Sequence, residues 1–561
     1  MDWKKDWDEA AGLWRKPGPG HTVLTKDLKI VHPGPYAANL LLAAAGQNSL
    51  PEIDSEKVLR ALLGMQWKKP DALFGCLKWY FEEEYVCDTN AAFFIGLKLI
   101  VLRLRFYEQL PPGSRKLLDS ILAGLNVWFR KAVGEGAFYY PNKYLGDLVC
   151  KWLLTEILGS SAEDEMVPVR MRQAADYWQK QHWGWGEHMS DGYSSVCLEE
   201  LSVLLLLAKQ LPEDLRQSYR RLAGELLEIE DGFEGGPRVP ILRSYAFRAP
   251  IPHRNFRDRV TAERLQKTNS GDMSDLGPLL YEWGWHKVMP PRQKPQRDLH
   301  IPCFGGSMAT ARVEKDIRLG SMSHFPIMPD AEHQTWGLAW QCFPVAISRG
   351  VSDWGFLQWE TLEGGKLRAH PANGGPTSHI PKALSDTVEP PLSGQTFSLQ
   401  RGPDALILRV MRRIPESWES VTDRFRLLAM TAEAEEISRE GWHQLLLHYP
   451  ERTVSINFIS LTDCKKPELI RTGTNSLDWN HSLSTGPSSL HGQDMLVHLW
   501  AVSLEGRIVD PPEIRTYREH DGRSGDDSIR FIDWKWNNTH WQVTVNLTPQ
   551  CGQVLQETRG L

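Results

Sequence analysis

The sequence predicts a multidomain chain with an N-terminal (α/α) toroid, incomplete or of six hairpins, followed by a C-terminal antiparallel β-sandwich. Three observations carry this. Apolar residues recur at helical spacing through residues 36–286, the apolar period changes to two beyond residue 300, and Gly- and Pro-rich breakers divide the segments at short intervals. At 561 residues the chain also exceeds one ordinary domain.

The helical half resolves into segments at Tyr36–Ala45, Ser55–Trp67, Thr89–Gln109, Ser114–Val133, Lys143–Leu158, Glu163–Gln181, Asp191–Gln210 and Pro212–Ile229, with a short helix near Met273–Trp283. Pro51, Pro70, Pro111-Pro112-Gly113, Pro141, Gly159 and Gly184–Gly186 punctuate them. Strong helix starts with cap-type residues fall at Asp88-Thr89-Asn90, Pro141-Asn142 and Ser190-Asp191, about fifty residues apart. In an up-down array every second helix starts at the same end. These three starts, with His32-Pro33-Gly34-Pro35 before them, are therefore expected to converge on the mouth of a cleft.

Residues 232–300 are transitional, and 290–300 (PPRQKPQRD and the residues after it) reads as the linker between a catalytic toroid over 1–289 and a sandwich over 301–561. Strands are expected at Ala405–Val410, His443–Leu447, Val454–Ile459, Met495–Ala501, Ile529–Trp536 and Trp541–Leu547, with Asp423–Met430 ambiguous.

Composition narrows the function classes. A formal charge of −6 argues against a nucleic-acid partner, although a net charge says little about any one cleft. The most apolar runs, Ile95–Leu104 and Leu201–Ala208, are too short to span a bilayer, so no membrane partner is expected. The opening MDWKKDWDEAAGLWRKPGPG has no apolar signal core, which suits a cytoplasmic protein, or a secreted one whose signal has been removed. Eight scattered cysteines without a CxxC pair suit reduced, buried thiols. The 23 tryptophans are about three times ordinary usage. Clusters such as Trp178/Trp183/Trp185, Trp354/Trp359 and Trp534/Trp536/Trp541 are either large aromatic cores or stacking platforms for sugar rings.

Two segments concentrate chemistry-bearing residues: Tyr139-Tyr140-Pro141-Asn142-Lys143-Tyr144, and Trp183-Gly184-Trp185-Gly186-Glu187-His188-Met189-Ser190-Asp191-Gly192-Tyr193. With Asp88-Thr89-Asn90 and the toroid–sandwich order, they make the chain resemble the heparinase II/III-like and alginate-lyase-like polysaccharide lyases. In those enzymes a toroid Asn neutralises the uronate carboxylate while a His and a Tyr act as base and acid. The resemblance implies catalytic roles for Asn142, His188 and Tyr193, and substrate contacts from Asn90, Asp88, Trp185 and Tyr144. Lys143 stands where some members carry a His after the Asn.

The chemistry explains that set. β-Elimination removes the weakly acidic proton beside the carboxylate, so hydrogen-bond donors must hold the carboxylate's charge. A positioned His or Tyr takes the proton and a Tyr hydroxyl protonates the leaving oxygen. Arg238, Arg243, Arg248 and Arg254 lie between the domains, and Arg243 and Arg248 are candidates to clamp an anionic substrate. Plainer roles compete: Asn142, Asp88 and Asn90 as helix caps, His188 as a loop residue packed on Trp185, Tyr193 as a core aromatic. His324, His333, Glu332 and Asp330 lack tight ligand spacing, so no metal or other cofactor is expected. Gly305-Gly306 and Gly374-Gly375 are turns, because no Lys-Ser/Thr follows.

The leading expectation is a lyase, monomer or homodimer, acting on an anionic carbohydrate or small-molecule substrate. A glycoside hydrolase using Asp88 with Asp147 or Glu187, an intracellular isomerase or cyclase on the same scaffold, and a non-catalytic glycan-binding protein remain open.

Overall fold

The computed structural model describes residues 4–184, 186–190, 192–242, 255–260, 276–324, 344–350, 352–367, 394–412, 418–439, 441–462, 465–484, 495–506, 510–516, 529–536, 539–546 and 555–557. The chain divides into two compact units. One takes Met1–His188, Tyr193–Asp231 and Asn255–Gln293; the other takes Met189–Gly192, Gly232–Arg254 and Lys294–Leu561.

The first unit opens with two short ribbons, β1 (Trp7–Asp8) with β2 (Leu13–Trp14) and β3 (Lys16–Pro17) with β4 (Ile30–Val31). Eight longer helices follow: α1 (Gly34–Gly46), α2 (Ser55–Met65), α3 (Ala91–Arg105), α4 (Pro112–Glu135), α5 (Pro141–Leu158), α6 (Met166–Lys180), α7 (Tyr193–Leu207) and α8 (Glu213–Gly232). Local chemistry sets their ends. Proline opens α1, α4 and α5, where its missing N–H costs nothing. Asp54 caps α2 by accepting from the Lys57 N–H at 3.0 Å. Gly159, at φ +90°, terminates α5.

The odd-numbered helices pack in sequence, α1 on α3, α3 on α5 and α5 on α7, while α2, α4 and α6 lie outside them. Burial follows this division. Helices α3, α5 and α7 are covered nearly all round, whereas α2 and α4 bury one stripe each. Among the described residues three short helices follow: α9 (Phe256–Arg259), α10 (Gly277–Glu282) and α11 (Trp285–Val288). Both α10 and α11 pack on α7, and the Trp285 indole donates to Ser202 Oγ at 3.0 Å. Leu279 of α10 reaches back to Gly46 at the end of α1, where a Cβ would meet it at 2.7 Å. The chain thereby returns to its first inner helix.

The second unit is wholly antiparallel in its described pairings. A large sheet contains β5 (Asp298–Pro302), β6 (Met308–Val313), β7 (Arg318–Met322), β8 (Val345–Arg349), β9 (Asp353–Glu363), β10 (Lys366–Leu367), β13 (Trp418–Leu428), β17 (Glu468–Gly473) and β18 (Ser476–Ser484), in the order β17-β18-β13-β9-β8-β7-β6-β5 with β10 on β9. A second contains β11 (Gly394–Arg401), β12 (Asp404–Arg412), β14 (Glu433–Arg439), β15 (Trp442–His448), β16 (Thr453–Ser460) and β19 (Met495–Ser503), in the order β11-β12-β19-β16-β15-β14. A third runs β20 (Glu513–Thr516), β21 (Ile529–Trp536), β22 (Thr539–Asn546) and β23 (Leu555–Glu557).

The second sheet is the middle layer. Ala405 and Ile407 of β12 join one core with Leu357 and Phe425, while Leu406, Leu408 and Val410 join another with Trp534 and Val543. Because successive side chains point to opposite faces, both faces of β12 are buried and its sequence reads as a continuous apolar run. Arg409 is the exception. It donates from Nε and Nη2 to Asp423 Oδ1, at 3.1 and 2.7 Å, and His498 and Trp500 bond the other carboxylate oxygen at 2.9 Å each. This buried network, in which both Asp423 oxygens are bonded, sits between the first two sheets.

Two expectations shift. The large sheet begins at Asp298, inside the interval read as linker, and residues 232–242 belong with the β unit. Asp423–Met430 is largely strand β13. The described tryptophans of the named clusters are packing residues: Trp178 and Trp183 stack at 5.8 Å, and Trp354, Trp359, Trp534, Trp536 and Trp541 are buried. Trp185 lies outside the described residues.

Candidate active site at the inner-helix starts

Contacts between the inner helices fix their relative direction. Asn90, just before α3, donates from Nδ2 to the Tyr140 hydroxyl just before α5, at 3.3 Å. A Cβ on Gly146 of α5 would meet Phe93 of α3 at 2.5 Å and Glu200 Oε1 of α7 at 2.8 Å. Each of these residues lies within about two turns of its helix start, so α3, α5 and α7 run the same way. Asn90, Asn142 and Tyr193 therefore belong to one end of the ring. Deeper, Lys98 of α3 and Glu199 of α7 form a buried ion pair, which Arg259 joins at 3.5 Å.

Asn142 is the most distinctive group at that end. It is 2 % exposed, and its Nδ2 is buried with no hydrogen-bond partner among the described residues. An unmade donor of this kind costs about 1–3 kcal/mol, so its presence in a folded protein asks for an acceptor. Lys143 beside it is taken by Asp147, one turn on, and lies over the rings of Phe93 and Trp128 at 5.9 and 5.8 Å. Burial raises the Asp147 pKa against the opposing pull of Lys143. One turn below Asn142 on the same face, Gly146 makes room for Glu200. Glu200 is 1 % exposed with neither oxygen bonded, and burial, reinforced by Glu199, pushes its pKa well above the ordinary carboxyl value.

The other expected residues are placed as follows. His188 lies in a 3-10 turn, Glu187–Met189, and is 2 % exposed; Glu187 beside it is fully buried. Tyr193 is half-buried as the first residue of α7. The Ser190 hydroxyl accepts the Gly192 N–H at 3.4 Å, and Arg238 donates to the Ser190 carbonyl at 3.4 Å. Asp88 accepts the Asn90 N–H at 2.8 Å. Tyr144 faces the scaffold, its hydroxyl donating to the Val133 carbonyl at 2.7 Å and taking the Arg170 Nε–H at 3.0 Å. Burial pushes its phenol up to about 12. Arg243, Arg248 and Arg254, with Asp330, Glu332 and His333, lie outside the described residues. Among the described residues no His, Cys, Asp and Glu group is placed to hold a metal ion, and no helix is long and apolar enough to cross a membrane.

Several site-adjacent residues escaped the sequence reading. His21 reaches this end only through tertiary packing. Lys98 and the Glu199-Glu200 pair carried a signal that was available: charges inside otherwise apolar helical runs, AAFFIGLKLIVL and CLEELSVLLLL. Such charges need buried partners or an unusual protonation state.

No protein-family model matches the sequence, and no curated protein matches it. Among solved structures the chain is similar to the crystal structure of heparinase III, with a TM-score of 0.50 and 9% identity, over 91% of this chain and 82% of that one. At this identity the likeness is one of fold: a helical N-terminal region followed by antiparallel sheets.

Proposed function

We propose that the chain is a polysaccharide or oligosaccharide lyase that cleaves a uronate-containing glycan by β-elimination at the starts of its inner helices. The observation that carries this reading is the buried, unpartnered Asn142 amide at the start of α5. A substrate carboxylate supplies the acceptor that this amide lacks, and the N-terminus of an 18-residue helix favours negative charge at the same place.

The reaction needs that charge to be held. A base removes the proton from the carbon beside the carboxylate, and the electron pair left behind forms the ring double bond. The glycosidic carbon–oxygen bond breaks, and its oxygen leaves with a proton from an acid. The Asn142 donor strengthens as the enolate-like charge develops. In this reading Tyr193, half-buried at the start of α7, and His188 in the preceding turn carry the two proton transfers. Asp88 and Asn90 contact the sugar, with Trp185, Arg243 and Arg248 as further binding groups, and no cofactor takes part. Tyr144 serves the scaffold. The fold shared with heparinase III is compatible with this reading.

The experiment is incubation with uronate-containing glycans while following ultraviolet absorbance of the unsaturated uronate product. New reducing ends without that chromophore indicate hydrolysis instead; neither signal, with binding retained, indicates a glycan-binding protein.

A further inference from the structure

The face of α5 that carries Asn142 leads inward to a buried carboxyl from another helix. Gly146 lies one turn beyond Asn142, so the two positions are stacked, with Cβ sites about 5–6 Å apart. A Cβ at Gly146 would meet Glu200 Oε1 of α7 at 2.8 Å and the ring of Phe93 of α3 at 2.5 Å. Glycine here leaves the room that Glu200 occupies, and the carboxyl lies within about 9 Å of the Asn142 Cβ. Glu200 is 1 % exposed, and neither oxygen has a hydrogen-bond partner among the described residues. The cations around it are engaged by other acids. Lys143 pairs with Asp147 on α5, and Lys98 of α3 pairs with Glu199, which Arg259 of α9 also approaches at 3.5 Å. Negative charge reaches Glu200 from Glu199 beside it, from Asp147, and from Glu187 in the turn before α7, against the pull of Lys98. The Cys150 thiol of α5 is buried in the same cluster. Helices α10 and α11, which carry Tyr281, Glu282, His286 and Lys287, also pack on α7. The α11 contact, Trp285 on Ser202, falls two residues on and so on the other side of α7 from Glu200.

We infer that Glu200 gates the anion site: with its carboxyl protonated the site at Asn142 accepts a carboxylate, and once that proton is lost the site disfavours one. The inference rests on the lyase reading for the position of the uronate. A carboxyl in a dry interior with no ion-pair partner holds its proton to higher pH than an exposed one, first because burial penalises the charge and then because Glu199 repels it. Ionisation puts a full negative charge roughly 10 Å from a carboxylate held at Asn142, across packed side chains that screen it less than water does. At that separation the repulsion is worth about tenfold in affinity for an anion, and an uncharged ligand does not feel it. Capture of a uronate is therefore strongest on the acid side of the Glu200 titration and falls on the alkaline side. Glu200 touches neither the substrate nor the groups that move protons; it is a positioning residue that acts through the charge of the site.

The test is calorimetric titration of the whole protein, between about pH 5 and about pH 10, with a disaccharide that carries a uronate at its non-reducing end. Such a uronate has no 4-linked leaving group, so the probe is bound and not cleaved; its carboxyl-reduced counterpart is the uncharged control. The wild type loses about tenfold in affinity for the uronate disaccharide as the pH rises, and the reduced counterpart does not follow. Glu200→Gln, which keeps the shape and cannot ionise, matches the wild type on the acid side and keeps that affinity on the alkaline side. A second readout needs no ligand. A carboxyl whose pKa is raised by folding adds stability below its unfolded value, near ~4.3, that is lost as the pH rises through the folded value. Glu200→Gln therefore gains melting temperature over the wild type as the pH rises. Wild-type affinity that does not change with pH, an equal alkaline loss in Glu200→Gln, or a melting-temperature difference that is the same at every pH overturns the gate. Asn142→Ala separates the two readings. If it weakens the uronate disaccharide while Glu200→Gln leaves the pH dependence unchanged, the gate alone falls. If Glu200→Gln removes the alkaline loss and Asn142→Ala has no effect, the placement of the uronate at Asn142 falls and the gate stands. Binding of the uronate disaccharide at no pH removes both.

Discussion

Asn90 and Tyr140, fifty residues apart in sequence, meet through a hydrogen bond from amide nitrogen to phenol oxygen at 3.3 Å. The contact joins the starts of two inner helices, α3 and α5, and so brings the Asp88–Asn90 turn beside the segment that carries Asn142. Everything proposed for the site depends on that proximity.

Asn142→Ala is expected to lower kcat by about 10²–10³-fold, the cost of removing one donor aimed at developing negative charge. Its melting temperature should hold or rise slightly, because the amide nitrogen makes no hydrogen bond that the variant loses. A large fall in melting temperature with activity per folded molecule intact would show that Asn142 is only a helix-start residue.

His188→Ala and Tyr193→Phe should each cost about 10²–10⁴-fold in kcat, the range for general acid–base groups. Tyr193→Phe keeps the ring and removes only the hydroxyl, so its fold is preserved and its loss is chemical. Steady-state kinetics and circular dichroism on the same samples decide the matter. Activity surviving in both variants removes these residues from the mechanism.

Asp423 supplies a pH dependence that belongs to the β unit. Burial alone would raise its pKa, but the Arg409 charge and the His498 contact hold it down at about 2. With an unfolded value near ~3.9, its contribution is fully present above about pH 4 and is lost as pH falls toward 2. Asp423→Asn should cost about 3–5 kcal/mol at pH 7, because Arg409 remains buried without its carboxylate. Urea unfolding at pH 7 and pH 3 should therefore show a smaller gap between wild type and variant at the lower pH. An equal gap at both would refute the assignment.

Gly320→Ala tests the placement of residues 232–242 within the β unit. A Cβ on Gly320 of β7 would lie 2.1 Å from the Val239 carbonyl carbon and 2.2 Å from Pro240 N. Backbone cannot yield as a side-chain tip can, so the cost should reach or exceed the upper end of ~1–3 kcal/mol for overpacking. A melting temperature equal to wild type would mean that the segment does not cross β7 there.

The helical half was legible because its signals are local. Pro141 and Gly159 mark the ends of α5 by backbone chemistry, and the all-round apolar AAFFIGLKLIVL of α3 contrasts with the amphipathic SEKVLRALLGM of α2. The helix starts near Asn90 and Asn142 were visible for the same reason, although neither side chain makes a capping hydrogen bond. What pairs across space was not. The sequence of β12 shows two buried faces but not which sheets cover them. Strand β13 carries Asp423 and Arg424 because charges there pair with Arg409 and Asp478, contacts no local pattern records. The family resemblance implies a substrate contact for Tyr144, yet its hydroxyl finds the Val133 carbonyl. His21 comes to Asp88 from 67 residues away, and only the Tyr80 and Trp79 packing places it.

The most direct test of the central claim is the ultraviolet absorbance of unsaturated product formed from a uronate-containing glycan, wild type against Asn142→Ala, with folding checked on both. Absorbance is expected to rise progressively for the wild type and about 10²–10³-fold more slowly for the variant at equal folded concentration. Equal rates for the two proteins, or reducing ends appearing without the chromophore, would contradict it.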